Sequence, residues 1–482
     1  MSETIGEMIL PGTYIDVRSE GLIGVGGIAV GNVGVVGTAS RGPINTVQVL
    51  GSYAEALDTF GDYDRWDPAA SPANLTLTRT LEQVFRGGAS TVYAVRIAAP
   101  GGSPMASAQW RVRDGTGGSA ATLFTLTAQT AGTWANAITA KLDTPVGAPV
   151  KLTLTFPRPN GSSKESFEGA NAKELAAAVN ATSRYVTASA PAVADETKVP
   201  AAVDSAPNTA GGPNGAGVST TDVATGLDQL ATQDVNILVI GGMNMATAAA
   251  TVLGHLDATE TDGRERIAVL GASSDTPSTI ASSDVPAGSN PRLILVAPGI
   301  LANDAARVGE QVKQVQLSAP YAAALVAGRI ASLAPHISLT NKDVPVDGLT
   351  TDYTRAQQKQ LLGKQVLVVY RGLGTRVLKG ITTDTGAFKQ ISVRRIVDYA
   401  KQGVRLGSNP YIGKLNNARV RAALKATLDG FLSGMILDEM LQKYTLDVSA
   451  TRAQEINGIC LVTMTLQPTF SIDFVKVIMT LE

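Results

Sequence analysis

Apolar positions in this chain fall in three patterns, and each predicts its own kind of element: a helix, a half-buried strand or a buried strand. In Ile391–Gly407, Val393, Ile396, Val397, Ala400 and Val404 fall at helical spacing, and Gly407 suits a C-terminal cap. Arg394, Lys401 and Arg405 lie off that stripe. Asn416 can cap a second, longer helix, in which Val420, Leu424, Leu428, Phe431 and Met435 make one apolar stripe. Arg421 and Lys425 make an exposed basic stripe on it. Ala426, Gly430 and Gly434 sit four apart, which would let another backbone approach closely. The period then drops to two. Val462, Met464 and Leu466 alternate with threonines, Pro468 interrupts, and Phe470, Ile472 and Phe474 resume. From Val475 the phase flips to Val475, Val477, Met479 and Leu481, which predicts a bulge near Phe474 or a strand that changes sheets. Near the start, after the turn signal Pro11-Gly12, Thr13, Ile15 and Val17 alternate with Tyr14, Asp16 and Arg18. A lone strand of this kind must pair with a sheet in its own chain or another.

The third pattern is the short, unbroken apolar run. Val30–Gly37, Thr91–Ile97, Val235–Ile240, Ile267–Leu270, Leu293–Ala297 and Val366–Tyr370 read as buried strands. Helical segments stand between them: Ser52–Phe60, Leu75–Phe85, Asp222–Ala231, Ala319–Ala334 and Thr354–Leu362. Strand, turn, helix in repetition predicts parallel strands with crossover helices. Composition changes at Ala99. Thr122–Ala128 and Val150–Phe156 alternate as strands, and 183–221 is low in complexity. The expected class is therefore α/β and α+β, multidomain. An extended arm covers 1–19, and a split α/β domain covers 20–99 and 218–370. A β-rich insertion covers 100–217, an α+β domain 371–469, and a C-terminal strand arm 470–482.

Charge sharpens this picture. The 482 residues carry a net charge of −1, yet Arg376–Lys425 holds eleven cations against Asp384 and Asp398, a net of +9. Charge so segregated marks a surface made to meet an acidic one. Nucleic acid is the disfavoured partner, because aromatic residues are sparse among these cations and the whole chain is near neutral. With 44% hydrophobic and 17% charged residues the chain reads as globular. The one cysteine, Cys460, excludes an intrachain disulfide, fits a reducing cytoplasm, and beside Leu461 reads as a small core residue. MSETIGEMIL lacks the pattern of a signal peptide, and no apolar run reaches membrane-spanning length, so a soluble protein is expected.

Chemistry finds little support. Gly24-Val25-Gly26-Gly27-Ile28-Ala29 fits a loose G-x-G-x-x-A, but a strand rather than a helix follows, and no acid stands some twenty residues on. Strand and turn packing is the preferred reading there. No G-x-x-x-x-G-K-[ST] occurs. Two distant histidines and one cysteine offer no metal-ligand spacing. No catalytic, cofactor or metal residue is assigned.

Several stretches together resemble the contractile tail sheath family. They are Pro11-Gly12-Thr13-Tyr14-Ile15-Asp16, Gly37-Thr38-Ala39-Ser40-Arg41-Gly42-Pro43, and Leu126-Thr127-Ala128-Gln129-Thr130-Ala131-Gly132-Thr133-Trp134-Ala135-Asn136. Later come Val296-Ala297-Pro298-Gly299, Ser338-Leu339-Thr340-Asn341-Lys342, Gly380-Ile381-Thr382-Thr383 and Ile391–Asp398. They fall in the family's order across nearly the whole chain; 140–217 shows little likeness.

The resemblance implies a non-enzymatic mechanical subunit. Such subunits stack as six-fold rings around a rigid inner tube, assemble extended and strained, and contract to drive the tube through a target envelope. It implies a subtilisin-like α/β domain, a sandwich-like insertion and a C-terminal domain that forms a mesh. The partners are further copies of the chain, the inner tube, and baseplate and tail terminator proteins, with no nucleic acid, cofactor or membrane insertion. The place is a virion tail assembled in the host cytoplasm, or a phage-derived bacterial injection particle. Arms would exchange between copies through Thr13, Tyr14, Ile15 and Val17 at one end and Val475, Val477, Met479 and Leu481 at the other. The basic block makes Lys414, Arg419, Arg421 and Lys425 the expected tube-facing patch.

A subtilisin-like domain raises a hydrolase as the rival function. Ser318–Gly328 resembles a subtilase serine helix, but Gln316-Leu317 replaces the Gly-Thr that should precede the serine. His255, the one histidine before Ser318, lies in Leu253-Gly254-His255-Leu256 with no His-Gly setting. Ser318 is expected to cap a helix instead.

Overall fold

The computed structural model describes residues 27–62, 64–69, 74–99, 105–115, 120–158, 161–307, 309–311 and 313–481. They form two compact units. The larger comprises Gly31–Ala334 and Leu339–Lys389; the smaller includes 27–30, Pro335–Ser338 and 390–481. The G-x-G-x-x-A stretch and the N-terminal arm, with Thr13, Tyr14, Ile15 and Val17, lie largely or wholly outside the described residues.

The larger unit begins with β1 (Val33–Gly37), β2 (Val47–Leu50), α1 (Tyr53–Phe60), α2 (Leu77–Gly87) and β3 (Val92–Arg96). Ser52 caps α1 by accepting from the Glu55 amide, and Gly61, at φ 78°, ends it. An inserted β domain follows: β4 (Gln109–Arg113), β5 (Thr122–Ala128), β6 (Thr139–Asp143), β7 (Val150–Arg158), β8 (Gly161–Gly169), α3 (Ala172–Thr182), β9 (Val186–Ala188) and β10 (Asn208–Thr209). Its two sheets run β10-β4-β5-β9 and β6-β7-β8. Trp110, Phe124, Leu126, Leu142, Leu152, Leu154 and Val179 give it a core of its own. The segments by which the chain leaves for it and returns from it meet where the Ala99 amide donates to the Gly215 carbonyl at 3.0 Å.

The chain then resumes the body with α4 (Thr220–Leu230), β11 (Ile237–Ile240), α5 (Met245–Thr261), β12 (Ile267–Gly271), a short turn α6 (Pro277–Thr279) and β13 (Leu293–Ala297). A small antiparallel sheet of β14 (Ile300–Asn303), β15 (Gln314–Leu317) and β16 (Gly348–Leu349) flanks α7 (Ala319–Ala331). Last come α8 (Arg355–Gly363), β17 (Val366–Gly372) and β18 (Gly374–Val377). Eight strands line up as β18-β17-β13-β12-β11-β1-β3-β2, parallel throughout except for the two edge strands.

Central strands such as β12 (IAVLG) and β13 (LILVA) are buried at every position, so each face needs a helical cover. On one face Leu238, Ile240, Leu270 and Leu295 share a core with Val223 and Leu227 of α4, Val252 and Leu256 of α5, and Leu361 of α8. On the other, α7 crosses β11, β12 and β13 and packs against α2. That crossing is close because glycines meet: a Cβ on Gly87 or Gly328 would overlap the facing backbone. Strand β18 pairs with β17, so residues 371–389 stay with this sheet.

The smaller unit holds α9 (Ile391–Ser408), α10 (Ala418–Leu437), β19 (Leu441–Ser449), α11 (Arg452–Ile456) and β20 (Leu461–Pro468). Its core is small: Ile396, Ala400, Leu432, Met435, Met440 and Leu441, with Tyr399, Phe431, Tyr444, Leu446 and Leu466 packed against it. Gly403 lets α10 come close, because a Cβ there would overlap the Phe431 ring.

Three expectations are corrected here. Asn417, not Asn416, caps α10, accepting from the Val420 amide; the Asn416 side chain instead meets Arg421 and the Ile459 carbonyl. Arg394 is buried rather than off the apolar stripe, and pairs with Asp398 one turn on. Cys460 is exposed rather than in the core, because it lies just before β20.

Candidate functional site

In an open parallel sheet, ligands bind where the strand order reverses, beyond the carboxyl ends of the strands. Here that place lies past β1 and β11, and the protein fills it. The Thr38 amide donates to Thr76 Oγ1 at 3.0 Å, and the Thr76 amide to the Thr38 carbonyl at 3.0 Å. A Cβ at Gly37 or Gly241 would press on Thr76 Oγ1. The glycines therefore serve helix–strand packing rather than a phosphate.

The residues considered for hydrolysis are structural. His255 is buried, with Nε2 2.9 Å from Arg266 Nη1. The guanidinium can only donate, so the imidazole must accept and is neutral. Burial, then the charge of Arg266, pushes the His255 pKa down to about 4. Arg266 also donates to the carbonyls of Leu230, Ala231 and Gln233, closing the end of α4. Ser318 stands at the N-cap of α7, but its side chain makes no capping bond, contrary to expectation. Among the described residues no cluster of three His, Cys, Asp or Glu could hold a metal ion.

The open chemistry of the molecule is in the smaller unit. Strands β19 and β20 form a two-stranded antiparallel sheet with eight paired positions from Leu441↔Pro468 to Ser449↔Leu461. Tyr444, Leu446 and Val448 on β19, and Val462, Met464 and Leu466 on β20, are half-buried on one face. Among the described residues each strand has a partner on one side only, so two edges of main-chain donors and acceptors are unpaired by described strands. Beyond Pro468 the described residues 469–481 belong to no helix or strand. Val475, Val477, Met479 and Leu481 are 70–98% exposed, and the residues between them are exposed as well. The start of this segment is tied down: the Thr469 amide donates to the Met440 carbonyl at 3.0 Å, Gln390 Nε2 donates to Asp473 Oδ2, and Gln390 Oε1 accepts from the Ser471 amide.

The expected tube-facing cations do not share one environment. Arg419 is exposed. Lys414 is exposed and stacks its ammonium 4.8 Å from the Tyr411 ring centre. Lys425 is half-exposed, 3.9 Å from Asp447. Arg421 is the exception: its Nη1 reaches Glu455 Oε1 at 3.0 Å and Asn416 Oδ1 at 2.8 Å, so it is an internal tie rather than part of an open stripe. Hydrogen bonds from Arg452 and Arg421 hold the Glu455 carboxyl below the usual range. An open hollow of about 350 Å³ lies beside this pair, bordered by Tyr411, Lys414, Gly458 and Cys460.

Residues 216–383 match the phage tail sheath protein central domain, and 383–482 the phage tail sheath C-terminal domain. Together the two matches span more than half of the chain. It belongs to the phage tail sheath family. Members of this family are structural subunits, and this sheath protein is not an enzyme.

Solved structures carry the same mixed α/β fold from end to end. The sheath tail protein of Desulfitobacterium hafniense is 18% identical, with 95% of this chain and 100% of that chain covered at a TM-score of 0.64. The sheath tail protein of Listeria innocua is 15% identical, with 92% and 93% covered at 0.64. The helical sheath of the anti-feeding prophage in its contracted state is 14% identical, with 99% of each covered at 0.55. At these identities the likeness speaks for the fold alone. No curated protein matches the sheath chain in sequence.

Sequence reading missed the Arg421–Glu455 tie. Arg421 is placed one turn from Lys425 by spacing alone, while its acidic partner lies 34 residues away, in the turn between β19 and β20.

Proposed function

We propose that this protein is the repeating subunit of a contractile sheath. Copies stack as six-fold rings around an inner tube, and the array shortens to drive the tube through a cell envelope for genome ejection. The observation that carries the reading is the β19–β20 pair. A two-stranded sheet is marginal alone, and its two open edges fit strands supplied by other copies. The exposed alternation Val475, Val477, Met479, Leu481 supplies one such strand, and Thr13, Tyr14, Ile15 and Val17 supply the other. Exchange of this kind joins the smaller units into a mesh. The split α/β body is the subtilisin-like domain of that plan, and the inserted β domain decorates its surface.

Lys414, Arg419 and Lys425 face the tube, with Arg421 supporting them from beneath. Each exposed contact would contribute about 0.2–1 kcal/mol, and repetition along the tail multiplies it. Baseplate and terminator proteins close the two ends of the sheath, in a virion tail assembled in the host cytoplasm. The sheath of a phage-derived injection particle is the second form of the same reading, favoured by the shared fold of the anti-feeding prophage sheath.

The test is a chain ending at Thr469. It should remain folded by circular dichroism, elute as a monomer, and form no tubules under negative stain where the full chain does. Regular tubules from the shortened chain would refute strand exchange through this segment.

A further inference from the structure

The stretch Leu126–Asn136 helped to mark the family, yet sheath function leaves it without a role. In the fold its second half is the loop between β5 and β6, at the base of the inserted domain. Two arginines of the α/β body converge on it.

Arg41 follows β1. Its guanidinium carbon lies 5.4 Å from the ring centre of Trp134 and 5.0 Å from that of Tyr185. Its Nη2 also donates to the Leu57 carbonyl at 2.9 Å and to the Asp58 carbonyl. One planar cation thus faces two rings of the inserted domain and closes the end of α1, where the helix dipole favours positive charge.

Arg96, the last residue of β3, is fully buried. Its Nη1 donates to the Gly42 carbonyl at 2.8 Å and the Ala131 carbonyl at 3.0 Å, and its Nη2 to the Asn214 carbonyl at 3.5 Å. A single side chain therefore gathers a body turn, the loop of the insertion, and the segment by which the chain returns. Smaller bonds complete the joint. Thr130 Oγ1 accepts from the Gly42 amide at 3.2 Å, and Asn214 Oδ1 from the Thr133 amide at 2.9 Å. Gly132, at φ 133°, has no room for a Cβ, which would stand 2.6 Å from the Ser40 carbonyl oxygen.

The two bodies have separate apolar cores. Between them the joint leaves a hollow of about 190 Å³ beside Arg41, Trp134, Phe156 and Tyr185. Polar ties, rather than a continuous core, therefore decide how firmly the insertion is held. We infer that Gln129–Asn136 is a socket of the inserted domain, and that Arg41 and Arg96 of the body seat in it and latch the two so that domain and body move as one piece. Lysine cannot replace Arg41, because a single ammonium cannot face two rings and donate to two carbonyls at once.

Hydrogen exchange on the purified full chain tests the latch. Arg41→Ala should raise exchange about tenfold in 129–136 and 208–215, while β7 and β11, in the two separate cores, keep their protection. Arg41→Lys should fail to restore it. Trp134→Leu, which leaves the cation in place, should loosen the same two segments. Unchanged protection of 129–136 in Arg41→Ala overturns the inference. So does loss of protection in β7 and β11 together with the loop, which would show one cooperative core rather than two latched ones.

Discussion

Arg421 on the first turn of α10 holds Glu455 on α11 at 3.0 Å, and so ties the tip of the β19–β20 hairpin to the helix beneath it. The pair sits in the turn between β19 and β20, at the opposite end of the hairpin from Leu441 and the core around it. Arg421→Glu should lower the thermal midpoint of unfolding, and the swap Arg421→Glu with Glu455→Arg should recover most of the loss. Equal midpoints for single and double variants would show that the tie is not structural.

The tube contact must therefore be tested at the other cations. Lys414→Glu, Arg419→Glu and Lys425→Glu together should leave the thermal midpoint unchanged. Extended, tube-filled particles should be lost, while sheath–sheath contacts still give contracted tubules. Extended particles at wild-type yield would place the tube against another surface.

His255 gives the body a pH dependence. In the unfolded chain it titrates near 6.5; in the fold it titrates near 4. From pH 6.5 down to 4 the unfolded state takes up a proton that the folded state refuses, so stability falls as pH falls through that window. The loss can reach on the order of 3 kcal/mol. His255→Gln keeps an acceptor for Arg266 and should flatten this part of the curve in urea titrations at pH 7 and pH 4.5. An unchanged difference between the two pH values would assign the loss elsewhere.

Gly328 has no room for a side chain where α7 crosses α2. Gly328→Val should destabilise the larger unit by about 3 kcal/mol, since the two backbones must separate. Gly430 and Gly434 lie inside α10 and a Cβ on either meets nothing within 4 Å, so alanine there should raise the stability of the monomer by about 0.5–1 kcal/mol each through helix propensity. Chemical denaturation of the three variants gives the comparison.

Much of the fold was legible because its signals are local. Unbroken apolar runs marked β11, β12 and β13, and alternation marked β20 up to Pro468. The cap on α1 was legible for the same reason. The cap on α10 was misread by one residue, since Asn416 and Asn417 stand side by side and only the distant Ile459 and the guanidinium of Arg421 separate their roles. Burial of Arg395 was not legible, because its carbonyl partner at Val30 lies 365 residues away. The same holds for the socket loop, whose neighbours Arg41, Arg96 and Asn214 approach only in the folded chain. The basic block read as one surface, but Arg376 pairs with Asp343 in the larger unit and Arg394 with Asp398 in the smaller.

The most direct test is a helical reconstruction by cryo-electron microscopy of tubules grown from the purified full chain. The account predicts six-fold rings in which β19 and β20 are flanked by two added strands, one from residues near 13–17 and one from residues near 475–481, each supplied by another copy. Tubules in which both edges of the hairpin stay open, or a chain that remains monomeric at every concentration, would contradict it.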